Sequence, residues 1–238
     1  MQHFILRAPG IAALALVALA TTVEAQAGSA AAHRRLQQSL DAQTYRAVAA
    51  VFEKARERGV PVEPLVNRAL QATLHRTPGP QISAAISTLA DRLGVAKAAL
   101  GPGSSDAEIS AGADALARGV PRETLVQIRT LSPGRPVTVP LGVLTELVAR
   151  DVTVGRASQM VVALLRNGAT PAQLVSLSDD VKHDIDAGIA AGAALDIRTR
   201  GALGTLEQGL GDGRAVLPAT PGPGERGGNE PRKAPRKP

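Results

Sequence analysis

The feature that most constrains the fold of this chain is a glycine followed two residues later by a proline, between two helical segments. The sequence RGVPVEPLV occupies residues 58–66, and RGVPRETLV repeats it at 118–126. Glycine is common just past the end of a helix, and proline is tolerated in the first turn of the next one. The following glutamate suits the positive end of the helix dipole. Each copy therefore predicts a short joint between helices, which holds shape and carries no chemistry.

Four looser copies of this joint follow the same logic, at 92–100, 149–157, 166–177 and 190–198. The copy at 166–177 also offers Thr170 as a helix N-cap before Pro171. The intervals between copies are unequal, so no strict repeat length is expected. The pattern predicts an all-α fold, an array or irregular bundle of short antiparallel helices in which hairpins are joined by Gly-Val-Pro turns.

Apolar spacing of three and four residues predicts where the helices run. A first helix is expected from about Arg34 to Ala55, and a later one is capped by Ser105 or Asp106 and ends at Ala117. Proline and glycine predict loops at 77–80, 101–106 and 132–140, the last with VTV as at most one short strand. The remaining helices are expected at 61–74, 121–131, 140–150, 155–167, 171–191 with a break near 178, and 195–209.

The N-terminal 27 residues are typical of a secretory signal peptide. An apolar run from Ile11 to Val23 is followed by small residues, with cleavage expected after Ala27 or Ala25. The run is shorter than the roughly 20 residues that span a bilayer, although retention as an anchor is the alternative. The chain is therefore expected to be exported, periplasmic or secreted, with no transmembrane segment after cleavage. The expected organisation is a signal peptide at 1–27, a helical domain at 28–210 and a tail at 211–238.

The tail is rich in glycine, proline and charge and has few large apolar residues, so it is expected to be disordered. Residues 214–238 contain six basic and two acidic residues, which accounts for most of the net charge of +6. A solubilising role is one interpretation. Contact with a polyanion or an anionic surface is the other, through cations in two Pro-Arg-Lys units. These cations are Arg232, Lys233, Arg236 and Lys237.

Composition excludes several classes of site. The chain has no cysteine and no tryptophan, with one tyrosine and two phenylalanines. Disulfides, cysteine-ligated zinc and a cysteine nucleophile are therefore excluded. No serine lies in a G-x-S-x-G motif, and GLGDG at 209–213 follows a helix, whereas a phosphate-binding loop follows a strand. We expect no cofactor and no specific nucleic-acid partner, because aromatic residues for base stacking are missing.

The best metal candidate lies in the sequence SLSDDVKHDID at 176–186. On a helix, Asp179, His183 and Asp186 share one face, and these side chains suit a divalent cation. The structural alternative is that Ser178 caps a helix and the acids occupy its first turn. No second histidine motif accompanies them, so the alternative is favoured over a metal site.

An enzymatic alternative is a hydrolase acting on cell-wall material through a pair of carboxylates. Its candidates are supported only by their acidity, since helical first turns and salt bridges explain most of them. They are Glu57, Glu63, Glu108, Glu123, Glu146 and Asp151.

The joints at Gly59-Val60-Pro61 and Gly119-Val120-Pro121, following an export signal, resemble those of uncharacterised exported bacterial proteins with GVP-type helical repeats. The resemblance covers roughly 46–200 and implies no activity. The favoured hypothesis is a non-enzymatic binding or scaffold protein of the cell envelope, because helical arrays present extended binding surfaces. Its partner is expected to be another envelope protein or a polymer. A hydrolase and a tail-mediated polyanion binder are the alternatives.

Overall fold

The computed structural model describes residues 31–211, with side-chain environments as far as residue 208. Within this part the chain forms ten α-helices and no strand, so the predicted all-α fold is confirmed. The first helix, α1, spans 31–39. The others are α2 (Ala42–Glu57), α3 (Glu63–Leu74), α4 (Gly79–Leu100), α5 (Asp106–Ala117), α6 (Arg122–Leu131), α7 (Thr138–Ala149), α8 (Val154–Arg166), α9 (Pro171–Asp186) and α10 (Ala191–Gly211).

Most of these helices form an array two layers deep. Helices α5, α7 and α9 pack side by side in one layer, and α6, α8 and α10 pack side by side in the other. The long helix α4 contacts both α5 and α6 and joins the array to α2 and α3. Helices α5, α7 and α9 begin at 106, 138 and 171, so their starts are 32 and 33 residues apart. Helices α6, α8 and α10 begin at 122, 154 and 191, which are 32 and 37 residues apart, so the spacing is nearly constant in the first layer and unequal in the second.

The Gly-Val-Pro joints are helix ends closed by backbone hydrogen bonds. The N–H groups of Val60 and Val120 donate to carbonyls five residues earlier, at 2.8 and 3.1 Å. This bond requires the preceding glycine to be left-handed, and Gly59 and Gly119 have φ of 60° and 84°. Both valines are buried, so the joint also anchors the chain in the core. The joints therefore shape the fold as expected, although both prolines lie just before their helices and not in the first turn. Pro121 also lines a cleft between α6 and α8, so the expectation that the joints carry no chemistry stays a prediction.

Two of the looser copies, at 149–157 and 166–177, follow the same geometry with other residues. Asp151 takes the left-handed position between α7 and α8, with φ of 63°, and Gly168 takes it before α9. The joint before α10 lies at Gly188, so the copy expected at 190–198 is wrong: its Gly192 lies inside α10. Carboxylate and amide side chains tolerate this conformation better than most, which explains why aspartate can replace glycine. The expected joint at Gly94 is wrong: α4 runs unbroken through it and packs against several other helices.

Other boundaries also differ from expectation. The helix expected from Arg34 to Ala55 is two helices, because Asp41 caps α2 by accepting hydrogen bonds from the N–H groups of Gln43 and Thr44. The VTV segment is no strand, since α7 begins at Thr138. The predicted caps Ser105 and Thr170 are confirmed, each in a reciprocal capping box.

The core is built from aliphatic side chains that all ten helices contribute. Leu93 of α4, Leu125 of α6 and Leu144 of α7 are completely buried. Phe52, the one buried aromatic residue among those described, forms a T-shaped pair with the His33 ring, with 5.6 Å between ring centroids. His33 therefore packs α1 onto α2. Small residues allow close packing, and a Cβ on Gly112 of α5 would lie 3.0 Å from that of Ala96 on α4.

Candidate functional site

The three candidate metal ligands are on α9, but two of them pair with cations. Asp179 accepts a hydrogen bond from Lys182 at 2.7 Å, and Asp186 accepts one from Arg150, at the end of the neighbouring helix α7, at 2.6 Å. Among the described residues, no group of three histidine or acidic side chains lies close enough to hold a metal ion. The metal site therefore remains a prediction from the sequence.

The local structure of α9 also differs from expectation. Ser178 is buried in the middle of the helix and contacts Glu146 of α7 at 3.3 Å. It is therefore no N-cap, and α9 has no break near 178. Asp184, which the sequence did not single out, is buried and receives two hydrogen bonds from Arg198 of α10, at 2.6 and 2.7 Å. The hydrogen bonds from Arg198 lower the pKa of Asp184.

Among the candidate carboxylates, Glu108 is the most perturbed. Burial disfavours its charged form, but hydrogen bonds from the Ser105 and Val137 N–H groups and from Arg129 outweigh burial and lower its pKa to about 2. Ser105 donates at 2.8 Å and Val137 at 2.9 Å. Perturbed groups often mark active sites. Here every hydrogen-bond partner of the carboxylate belongs to the fold, and Glu108 lines none of the clefts described below. Glu108 therefore joins the ends of α5, α6 and α7.

The other candidate acids are dispersed. Glu146 accepts a hydrogen bond from Lys182 at 2.7 Å and holds α7 against α9. The remaining four are exposed and form no ion pair with a described residue. They are Glu57, Glu63, Glu123 and Asp151.

Two adjoining clefts open on the layer formed by α6, α8 and α10. The first, of about 540 Å³, lies between α6 and α8, and its lining includes Thr124 and Gln127. The second, of about 380 Å³, lies between α8 and α10 and is lined in part by Met160. Both clefts include Gln159 and Ala163 of α8, so they form one continuous surface, which we call the α8 clefts.

The polar groups of the α8 clefts are incompletely satisfied. The hydroxyls of Ser158 in the first cleft and Thr199 in the second are buried, and neither has a hydrogen-bond partner within the described residues. The charged lining residues are three arginines and one aspartate, which gives the surface a positive balance. They are Arg156, Arg166, Arg200 and Asp196. Arg156 pairs with Asp196 at 3.2 Å, whereas Arg166 and Arg200 pair with no described acid.

A larger opening of about 580 Å³ lies between α9 and α10, which we call the end groove. Its lining is mainly aliphatic and includes Leu177, Ile197 and Leu206. Ile197 is 55% exposed, which is unusual for a large apolar side chain beside a groove of this kind. The polar lining includes the ion pair of Asp184 with Arg198, and Asp180, whose carboxylate lies 3.7 Å from the same arginine.

Neither the α8 clefts nor the end groove was found from the sequence. Each forms between helices that come together only when successive helical hairpins pack against each other. A possible signal was the polar run Ser158-Gln159 within the apolar spacing of α8. The tail cations Arg232, Lys233, Arg236 and Lys237 lie outside the described residues, as does the predicted signal peptide.

Within residues 31–211, no helix is long and apolar enough to cross a membrane. Comparison with protein-family models, with curated proteins and with solved structures gave no significant match. The resemblance to exported proteins with GVP-type repeats therefore stays a prediction.

Proposed function

We propose that the chain is an exported, non-enzymatic binding protein of the bacterial cell envelope, and that the α8 clefts hold an extended, acidic segment of a protein partner. The observation that carries the proposal is the pair of buried hydroxyls without partners, on Ser158 and Thr199, in two clefts that adjoin. A buried hydroxyl without a hydrogen bond costs about 1–3 kcal/mol. Both residues line the clefts, so a small movement of each side chain would let backbone groups of a bound segment satisfy both hydroxyls.

The dimensions of the α8 clefts suit an extended chain. Packed helices lie about 8–10 Å apart, so the surface from α6 across α8 to α10 spans roughly 16–20 Å. An extended chain covers that distance in about six residues at ~3.3 Å each. Gln159 lies where the two clefts meet, and its amide can donate to and accept from a passing backbone.

Charge supports an acidic partner. Arg166 at one end and Arg200 at the other are exposed and unpaired among the described residues. Complementary charges at the rim of an interface raise the association rate and select among partners. The buried acidic residues of the described chain are engaged in internal ion pairs, and this supports the non-enzymatic part of the proposal.

The test uses two fluorescein-labelled ten-residue peptides with identical aliphatic residues and either four glutamates or four lysines. Fluorescence anisotropy measures their binding to the chain from residue 28 to 238. We expect the acidic peptide to bind and the basic peptide to bind at least ten times more weakly. The double variant Arg166→Glu/Arg200→Glu should weaken binding of the acidic peptide by about tenfold or more, since two rim charges contribute about 1 kcal/mol each.

The matched control is Arg46→Glu/Arg68→Glu, which changes the net charge equally on the exposed surfaces of α2 and α3. It should leave the affinity within twofold. Equal losses in the two double variants would mean that only overall charge matters, and the α8 clefts would not be the site. Binding of neither peptide, together with heparin binding that Arg166→Glu/Arg200→Glu weakens and the control does not, would replace a protein partner by an acidic polymer.

A further inference from the structure

The end groove leaves aliphatic surface of α9 and α10 uncovered at the end of the repeat. Elsewhere in the array each layer helix is followed by another that packs against it, as α8 packs on α6 and α10 on α8. Residues 212–238 contain six prolines, which are incompatible with another hairpin of this kind. The apolar lining of the end groove, with Ile189 and Ile197 partly exposed, therefore requires a different cover.

We infer that residues 214–218 of this chain, Arg-Ala-Val-Leu-Pro, fold back and occupy the end groove. Val216 and Leu217 are the only large apolar residues between 212 and 238. They follow the end of α10 by a few residues, and α10 itself lines the groove as far as Leu206. The chain thus carries one apolar pair at the point where the uncovered groove begins.

The distances allow this return. From Leu206 to Gly211 the helix rises about 7.5 Å, at 1.5 Å per residue. The six residues from Gly211 to Leu217 reach up to about 20 Å when extended. Ala202 lies nine residues before Gly211, about 13.5 Å back along the helix, so the segment can turn and return to its level. Gly211 and Gly213 permit the reversal, because glycine adopts the left-handed conformations that such turns use. Pro218 disfavours helix at Leu217 and keeps the pair extended.

Charge is complementary as well. Asp180 lines the groove, and its closest cation, Arg198, is already bound to Asp184 through two hydrogen bonds. The charged groups that line the groove are these three, so it carries an excess of one negative charge. Arg214 lies two residues before Val216, on the side of the segment nearest the end of α10, and supplies the matching cation.

The absence of cysteine gives a direct test by disulfide trapping, because any engineered pair is the only pair. The variant Ala202→Cys/Leu217→Cys joins the groove to the segment. Arg200→Cys/Leu217→Cys is the control: it has a similar chain separation, but residue 200 lines the α8 clefts on the other face of α10. Oxidation of the chain 28–238 by glutathione is followed on non-reducing gels and by mass spectrometry, and circular dichroism verifies helicity.

We expect the groove pair to form an intramolecular disulfide at least ten times faster than the control pair. Adding Val216→Asp should slow the groove pair at least tenfold and leave the control unchanged. Equal rates for the two pairs would overturn the inference, as would insensitivity to Val216→Asp. A product that is mainly dimeric at micromolar concentration would also overturn it, because the occupant would then be the tail of a second copy.

Discussion

Replacing the Glu108 carboxylate with an amide, in Glu108→Gln, should destabilise the fold by about 3 kcal/mol at pH 7. The side chain of Glu108 is 6% exposed and accepts hydrogen bonds from Ser105, Arg129 and Val137. Its pKa falls from 4.5 to about 2, and each pKa unit corresponds to ~1.36 kcal/mol. Glutamine keeps the shape, but its NH2 group faces other donors, and the Arg129 guanidinium loses its counter-charge.

The destabilisation caused by Glu108→Gln should decrease as the pH falls. The unfolded chain takes up a proton at Glu108 below about pH 4.5, whereas the folded chain resists protonation down to about pH 2. The stabilisation is therefore complete above pH 4.5 and disappears as the pH falls through 2. The difference between wild type and Glu108→Gln should be constant from pH 7 to about 5.5 and decrease steadily below that.

Urea unfolding monitored by circular dichroism at 222 nm is the appropriate assay, because the chain has no tryptophan and a single tyrosine. The control is Glu123→Gln, an exposed glutamate in the first turn of α6, which should cost less than ~0.5 kcal/mol. A loss below 1 kcal/mol for Glu108→Gln, or a loss that stays constant between pH 7 and 3, would refute the role assigned to this carboxylate.

Three further outcomes follow from the joints, the packing and the tail. Asp151→Gly should raise the unfolding free energy by about 0.5–1 kcal/mol and Gly119→Ala should lower it by about 1 kcal/mol, because both positions have a left-handed backbone. Urea unfolding measures both changes, and changes of the same sign would contradict the backbone explanation. Gly112→Val should lower the melting temperature through overpacking against α4, at a cost of about 1–3 kcal/mol, while the equally helical but uncrowded Gly142→Val should be tolerated better. Replacing four tail cations by glutamine should lower the salt concentration at which the chain elutes from heparin, and unchanged elution would exclude the tail as a polyanion contact. These cations are Arg232, Lys233, Arg236 and Lys237.

The fold was largely predictable because the residues that end and begin its helices act locally. Glycine at a helix end and an N-cap with its capping box, such as Ser105 with Glu108, depend on residues a few positions apart. Two boundary errors share one cause. Gly94 and Ser178 are typical of helix ends, yet both lie inside helices, because packing of α4 and α9 against several neighbours outweighs a weak local preference.

The sites were less predictable, since their geometry depends on pairs of residues distant in the chain. Asp179 and Asp186 share a face of α9, as expected, but the cation that pairs with Asp186, Arg150, comes from the end of α7. The hydroxyls of Ser158 and Thr199 lie 41 residues apart on helices that meet only through the array. No spacing within one helix predicts either relation.

The division of polar groups between these regions bears directly on function. Two ion pairs within residues 31–211, at Glu108 and Asp184, tie helix ends to neighbouring helices and leave little capacity for a ligand. The polar groups along the α8 clefts are different in kind: two neutral hydroxyls, a glutamine and two arginines that pair with no described acid. Neutral donors with flanking cations suit recognition of a backbone with acidic side chains, whereas hydrolysis requires a positioned acid or base. If Ser158→Ala/Thr199→Val stabilised the chain and left the affinity for the acidic peptide unchanged, these hydroxyls would be packing defects, and the binding proposal would lose its main support.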